Sequence, residues 1–322
     1  MRDQVIQFLE ENDIPYSERG KNISKDHVGI KCPLCLDDKS KHCNISLETG
    51  RFFCWRDKKN HRGSFRFLSL LLTGKRHEFL KPVDDVDMDK MFGDEGISQA
   101  RKIPKFDFKK LSESPINVFH KYLKKRGFDD TYDLCSKYDI RYDTETRDWA
   151  WRVIFPIYQK GRLVSWVGRH VDSQAYLKYR ESSKLESVVP PSDCLYNFDT
   201  LYKKGGDYLI ITEGIFDALK FDYFGPENVR ATCLFTKYLK SNKQLILLYE
   251  LRFRFKMYCI LLDDDAYFDS LSLLGDLSVI GQSFKILQLP PFLKNSKDKV
   301  DPGAMTKEQV EKFIETEVTG GC

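Results

Sequence analysis

From Asp207 onward, short and almost uninterrupted apolar runs alternate with helical stretches, and this constrains the fold more tightly than any other feature of the chain. The runs are DYLIITEG, ATCLF, MYCILLDDD and FKILQLP. Between them FDALKFDYF, the stretch through Leu245 to Leu251 and a segment after Asp265 carry helical periodicity. A strand covered on one face alternates polar and apolar residues, whereas one buried on both faces does not. Helices joining successive buried strands are the crossovers of a parallel sheet. The C-terminal part is therefore expected to be an α/β sheet with helices on both faces.

The 322 residues exceed one average domain, and the texture changes along them. Residues 1–80 combine a helical opening, a Cys/His-rich stretch and the amphipathic run SFRFLSLLLTGKRHEFL, and form a domain too small to fold without a staple. Residues 81–108, acidic and bounded by prolines, read as a linker. Residues 109–200 begin with the helical SPINVFHKYLKKRGF, which Gly127 should stop. They continue with a hairpin, RVIFPIY and RLVSWVG around a turn at Lys160-Gly161. Residues 201–322 hold the parallel sheet and an acidic C-terminal part. The expected fold class is α+β and α/β in several domains: a small ribbon-like N-terminal domain, a basic α+β part and an α/β sheet.

Cys32-Pro-Leu-Cys35 has the spacing of a knuckle turn whose two thiolates reach one tetrahedral ion. Cys54 follows nineteen positions after Cys35, and His61 seven after that. Cys32, Cys35, Cys54 and His61 would close a Cys₃His zinc site with no position left for catalysis, and the domain would depend on Zn²⁺ to fold. His42 and Cys43 compete for the fourth place; His61 ranks first because Gly63 provides a tight turn after it. Arg51, Phe52, Phe53, Trp55 and Arg56 interleave charge with rings, as suits stacking on unpaired bases or a hydrophobic plug around the metal. The scattered Cys135, Cys194, Cys233, Cys259 and Cys322 read as small buried hydrophobes in a reducing compartment.

Carboxylates gather where the apolar strands end. Glu213-Gly214 follows YLIIT, with Asp217 one helical turn later, and Asp263-Asp264-Asp265 follows MYCILL. Asp301 stands before proline in KDKVDPG, after the last strand. The carboxyl ends of parallel strands are where such sheets place ligands. In an extended chain Asp263 and Asp265 point to one side. Carboxylates crowded together repel unless cations neutralise them, and hard Mg²⁺ or Mn²⁺ with bound phosphates fits such a cage.

Lysine and arginine total 52 against 48 acidic residues, a balance too even to identify a nucleic-acid partner by itself. No run of about 18 apolar residues occurs, and the opening MRDQVIQFLEENDIPYSERG lacks the apolar core of a signal peptide. A soluble cytoplasmic protein without a membrane partner is expected.

ITEGIFDAL and ILLDDDA resemble the TOPRIM domain, whose pattern is a glutamate-glycine pair after one strand and Asp-x-Asp after a later one. RVIFPIYQKGRLVSWVGRHVD and LKYRESS look like the basic half of the RNA-polymerase domain of bacterial-type (DnaG-like) primases. CPLC, FFCW and HRGS look like the zinc-binding domain of the same family. The order and extent resemble the stand-alone primases of tailed phages, with no helicase module of any size at the end. This chain departs in offering Cys54 and His61 where the family usually has a second cysteine pair, and Asp264 where it usually has glycine. The resemblance implies a DNA-directed RNA polymerase that makes short RNA primers de novo for DNA replication. Glu213, Asp263 and Asp265 would be catalytic, and Glu213, Asp217, Asp263, Asp265 and Asp301 would hold Mg²⁺. Arg152, Arg169, Lys178 and Arg180 would bind template or nucleotide. Its partners would be single-stranded DNA, ribonucleoside triphosphates and a replicative helicase, in the host cytoplasm if the protein is a phage's. A metal-dependent TOPRIM nuclease and a zinc-containing single-strand binding module that recruits a helicase are the alternatives.

Overall fold

The computed structural model describes residues 2–35, 38, 40–48, 50–57, 61–63, 65–73, 106–263, 266–289 and 301–320. The chain forms two compact units, one of residues 1–91 and 265–281, the other of residues 92–264 and 282–322. Most of the expected linker lies outside the described residues.

In the first unit, α1 (Arg2–Glu11) buries Val5, Phe8 and Leu9, whose three- and four-residue spacing puts them on one face. An antiparallel meander follows: β1 (Tyr16–Ser17), β2 (His27–Ile30), β3 (Cys43–Ser46), β4 (Phe52–Cys54) and β5 (Arg62–Gly63), hydrogen-bonded in that order. Its core holds Val28, Ile30, Ile45 and Phe52, closed by Phe65 and Leu68 of α2 (Phe65–Thr73), with the Phe8 and Phe65 rings edge to face at 5.1 Å.

The second unit begins with β6 (Lys109–Lys110), α3 (Asn117–Lys125) and α4 (Thr131–Lys137). Gly127, at φ +79°, takes the left-handed position just past α3. β7 (Arg141–Asp143), β8 (Arg152–Gln159), β9 (Arg162–His170) and β10 (Tyr179–Glu181) complete an antiparallel sheet in the order β10-β9-β8-β7-β6. The β8–β9 hairpin turns at Lys160 and Gly161, with φ of +53° and +75°, the paired positive values of a two-residue turn matched to strand twist.

Next come α5 (Phe198–Lys204), β11 (Tyr208–Thr212), α6 (Ile215–Phe224), β12 (Val229–Cys233), α7 (Asn242–Leu251) and β13 (Met257–Leu261). The chain then passes through α8 (Tyr267–Leu277), part of the first unit, and returns for β14 (Ser283–Ile286) and α9 (Lys307–Phe313). The sheet order is β12-β11-β13-β14 and every pair is parallel. β12 is buried throughout, as is all of β11 and β13 beyond the first residue, which is why these strands carry no polar alternation. This parallel register aligns the carboxyl ends of β11 and β13.

Candidate functional site

In the first unit the knuckle between β2 and β3 brings Cys32, Cys35, Cys54 and His61 together, with one ligand atom of each within 4.8 Å of the others. Cys35 Sγ lies 3.8 Å from Cys54 Sγ and 3.3 Å from His61 Nδ1, while Cys32 Sγ lies 3.8 Å from the same nitrogen. Zinc–sulfur bonds of about 2.3 Å in a tetrahedron put neighbouring sulfurs about 3.8 Å apart, so the cluster has the dimensions of a zinc cage.

His42 is occupied elsewhere. Its Nδ1 lies 2.6 Å from Asp38 Oδ1, and Asp38 also accepts backbone N–H bonds from Cys32, Ser40 and His42 at 2.7, 3.1 and 2.9 Å. Asp38, kept ionised with a pKa lowered to about 2 by these bonds against its burial, braces the knuckle. The thiols respond unequally. Cys32 is lowered to about 5, chiefly by a hydrogen bond from the buried Cys43 thiol, whereas burial pushes Cys54 up to about 12. Alone, the cluster favours a single thiolate; a divalent cation would hold all three.

In the second unit, oxygens of Asp217, Asp263 and Asp301 lie within 4.8 Å of one another. Asp217 sits in the first turn of α6, where its Oδ2 accepts the Gly214 N–H at 2.9 Å. Asp263 follows β13, and Asp301 caps a short turn by accepting the Gly303 N–H at 2.9 Å. Glycines let the backbone close on Asp217. A β-carbon at Gly214 would stand 2.9 Å from its Oδ2, and one at Gly303 2.7 Å from its Oδ1.

Burial raises the pKa of Asp217 far above the usual carboxylate range, and the neighbouring charges of Asp301 and Asp263 push it the same way. Three carboxylates so placed are stabilised by a hard divalent cation, and the donor set suits Mg²⁺ or Mn²⁺. Glu213 does not join this group; it pairs with Lys237 at 3.7 Å. Asp265 lies outside the described residues.

A guanidinium flanks the acidic group. Arg126, just past α3, lies 4.7 Å from the centre of the Phe216 ring, with its Nη1 3.9 Å from Asp301 Oδ2. Its Nε donates to the Tyr122 hydroxyl at 3.3 Å, and Arg169 Nε donates to the same hydroxyl at 3.2 Å. Arg169 also stacks over Tyr179 at 4.4 Å. Two arginines thus share one phenol, and a guanidinium held in place is a fork whose geometry suits phosphate oxygens.

The other basic residues divide. Lys178 is exposed, and Arg180 pairs with Asp148 at 3.2 Å while stacking over Trp149. Arg152 is only 6% exposed and donates to the carbonyls of Asp148, Leu177 and Lys178 at 3.3, 2.9 and 3.2 Å. It braces the 171–178 loop from beneath through these three bonds, which leave two of its five N–H groups for the expected template or nucleotide contact. Arg126, Tyr122 and Lys237 escaped the sequence reading; the positive-φ glycine after Arg126 is the signal that could have drawn notice to it.

No family model matches the sequence, and no curated protein matches it. Solved structures do. The Aquifex aeolicus primase, in a structure of its zinc-binding and RNA polymerase domains, is 18% identical over 98% of this chain and 83% of its own, at a TM-score of 0.48. The E. coli primase catalytic core is 17% identical over 65% and 76%, at 0.48. Primase domains of bacteriophage T7, in a complex with its lagging-strand DNA polymerase, are 14% identical over 89% and 96%, at 0.40. Likeness at this level leaves the chemistry to be read from the residues themselves.

Proposed function

We propose that this chain is a DNA primase, a nucleotidyltransferase that joins ribonucleotides into short RNA primers de novo on single-stranded DNA. The observation that carries this reading is the trio Asp217, Asp263 and Asp301, graded from buried through half-buried to exposed, at the carboxyl ends of a parallel sheet, with Arg126 and Arg169 coupled beside it. A divalent cation held by the trio would supply charge neutralisation for a triphosphate and for the in-line attack of a 3′ hydroxyl. The carboxylates hold that cation and take no proton from the nucleophile. Arg126 and Arg169 orient phosphate oxygens, their direction set by Tyr122 and by stacking on Phe216 and Tyr179. Glu213 and Lys237 form a charged pair at the end of β11, placed to meet a second phosphate or the cation's outer shell.

Lys178 and Arg180 carry the template backbone, and binding weakens with salt as counterions are released. The Cys₃His unit, folded around Zn²⁺, presents Phe53, Trp55 and Arg56 to an unpaired template. A replicative helicase is the natural partner of such an enzyme, which would work in the cytoplasm where the DNA is copied.

Native protein and the Asp263→Asn and Asp301→Asn variants, incubated with single-stranded DNA, labelled ribonucleotides and Mg²⁺, test this reading. Short RNA from the native protein, lost in both variants, is the expected result. Cleavage of the DNA without RNA would make the trio a nuclease site, and binding alone would make the chain a single-strand binding module.

A further inference from the structure

At the opposite end of the parallel sheet, where β11 and β13 begin, a helix end and a loop build a ridge of alternating rings and cations that the proposed chemistry does not use. The last turn of α5 contributes Tyr202, Lys203 and Lys204, and the loop after α7 contributes Arg252, Phe253, Arg254 and Lys256. The Arg252 guanidinium lies 3.3 Å from the centre of the Tyr249 ring and 4.1 Å from that of Phe253, and Arg254 lies 4.6 Å from Tyr202. Phe253 is nevertheless 83% exposed.

An exposed phenylalanine on a floppy loop would need little comment, but this loop is pinned. Gln282 donates to the carbonyls of Arg252 and Phe255 at 2.8 and 2.7 Å. Gly206 N–H donates to Arg254 O at 3.0 Å, and the N–H groups of Lys256 and Met257 both donate to Asp207 O. Gly205, at φ +64°, allows the close approach, since a β-carbon there would stand 2.7 Å from Arg254 O. Arg252, half-buried against the Tyr249 and Phe253 rings, donates one N–H to the Tyr249 carbonyl at 3.0 Å. Asp207 pairs with Lys256 at 2.7 Å, while Lys203 and Lys204 are exposed and, among the described residues, form no ion pair.

We propose that this ridge is a second binding surface for single-stranded nucleic acid, with bases stacking on Phe253 and Tyr202 while Arg252, Arg254, Lys203 and Lys204 take the phosphates. Rings interleaved with cations suit a flexible strand, because every base has a stackable face and every nucleotide a charge. The ridge is a helix turn and a loop rather than a strand edge to which a peptide could add. β11 is five residues long, so the ridge lies on the order of 16 Å from the carboxylates at its other end. A strand touching both must pass over the covering helices rather than through the sheet, a path on the order of 35 Å, longer than the roughly 27 Å of eight stacked nucleotides. The surface extends the proposed template path but does not depend on any catalysis.

The test is fluorescence anisotropy of labelled (dT)8 and (dT)30 with the full chain, zinc present and ribonucleotides absent. The proteins compared are the native chain, Phe253→Leu and the double variant Phe253→Ala/Arg254→Ala. Native protein should bind (dT)30 more tightly than (dT)8. The double variant should lose about tenfold for (dT)30, with a shallower salt slope, while (dT)8 binding stays within about twofold. Phe253→Leu, which keeps apolar bulk without a ring, should also weaken (dT)30. Unchanged (dT)30 affinity in the double variant would overturn the proposal. So would an acidic peptide ending in an aromatic residue that binds the native ridge, is lost in the double variant and leaves (dT)30 binding intact; the ridge would then dock a protein. Because no arm reads RNA synthesis, the ridge can fail while the primase reading stands, and the reverse.

Discussion

Replacing Asp217 with asparagine should make the metal-free protein more stable and the metal-bound protein less responsive, an inversion that follows from the packing around this side chain. Asp217 is buried between Gly214 and Gly303, accepts the Gly214 N–H, and faces Asp301 and Asp263. Its folded-state pKa lies well above the ordinary 3.8, first because of burial and then because of the two neighbouring carboxylates. A group with a raised pKa holds its proton more tightly folded than unfolded. Its contribution is therefore fully present below the unfolded value and is lost as pH rises through the folded one. In buffer free of Mg²⁺, with zinc retained, thermal stability of the native chain should fall from pH 5 to pH 8.

Asparagine has the same shape, still accepts from Gly214 and can donate to Asp301, so Asp217→Asn should flatten that profile and gain about 1–3 kcal/mol at pH 8. Mg²⁺ at about a hundred times its dissociation constant adds about 2.7 kcal/mol to the native fold. At about 2–4 °C per kcal/mol for a domain of this size, that raises the melting temperature by about 5–11 °C. The variant should move by less than a third of this. Scanning calorimetry at several pH values, with and without Mg²⁺, reads both effects. An equal Mg²⁺ shift in native and variant proteins would refute the reasoning, as would a pH-independent native profile in metal-free buffer.

Further outcomes follow from the same geometry. Cys54→Ser should release zinc and abolish the cooperative folding of the first unit, since structural zinc contributes about 10–16 kcal/mol in comparable small modules; a metal assay paired with circular dichroism reads both losses. His42→Ala, which removes a brace and no ligand, should keep one zinc per chain while weakening its hold about tenfold or more in a chelator competition. Gly303→Ala should lower Mg²⁺ affinity measured by calorimetric titration, because the new methyl group meets Asp217 Oδ1 at 2.7 Å. Arg126→Lys keeps the charge but loses both the stacking on Phe216 and the bond to Tyr122, and should raise KM for ribonucleotides about tenfold or more; Tyr122→Phe should show a milder form of the same defect in steady-state kinetics.

What the sequence made legible was whatever periodicity or turn chemistry encodes locally. The uninterrupted apolar runs before Glu213 and Asp263 announced the parallel sheet, and Gly161 and Gly127 stand in the positive-φ positions that glycine favours. The spacing of Cys32, Cys35, Cys54 and His61 pointed to a cluster that the fold indeed assembles. Other features depend on distant partners and have no local signature. Spacing alone could not separate His61 from His42; the contact of His42 with Asp38 does. KKRGF reads as a helix end that Gly127 stops, and nothing local says that its arginine stacks on Phe216 of another element. Arg152 opens a strand as the hairpin reading expects, but its bonds to the Leu177 and Lys178 carbonyls depend on a loop 25 residues away. Glu213 ends the right strand, yet Lys237, far along the chain, draws it into a pair.

The most direct test of de novo priming is a pair of parallel reactions on single-stranded DNA with Mg²⁺, one with α-labelled and one with γ-labelled ribonucleoside triphosphates. A primase starts from a triphosphate that keeps its γ-phosphate at the 5′ end, so both labels should appear in the same short RNA, and both should vanish with Asp263→Asn. RNA carrying only the α label would mean extension of an existing end. No RNA at all from zinc-loaded protein, whether or not the DNA is cut, would contradict the account.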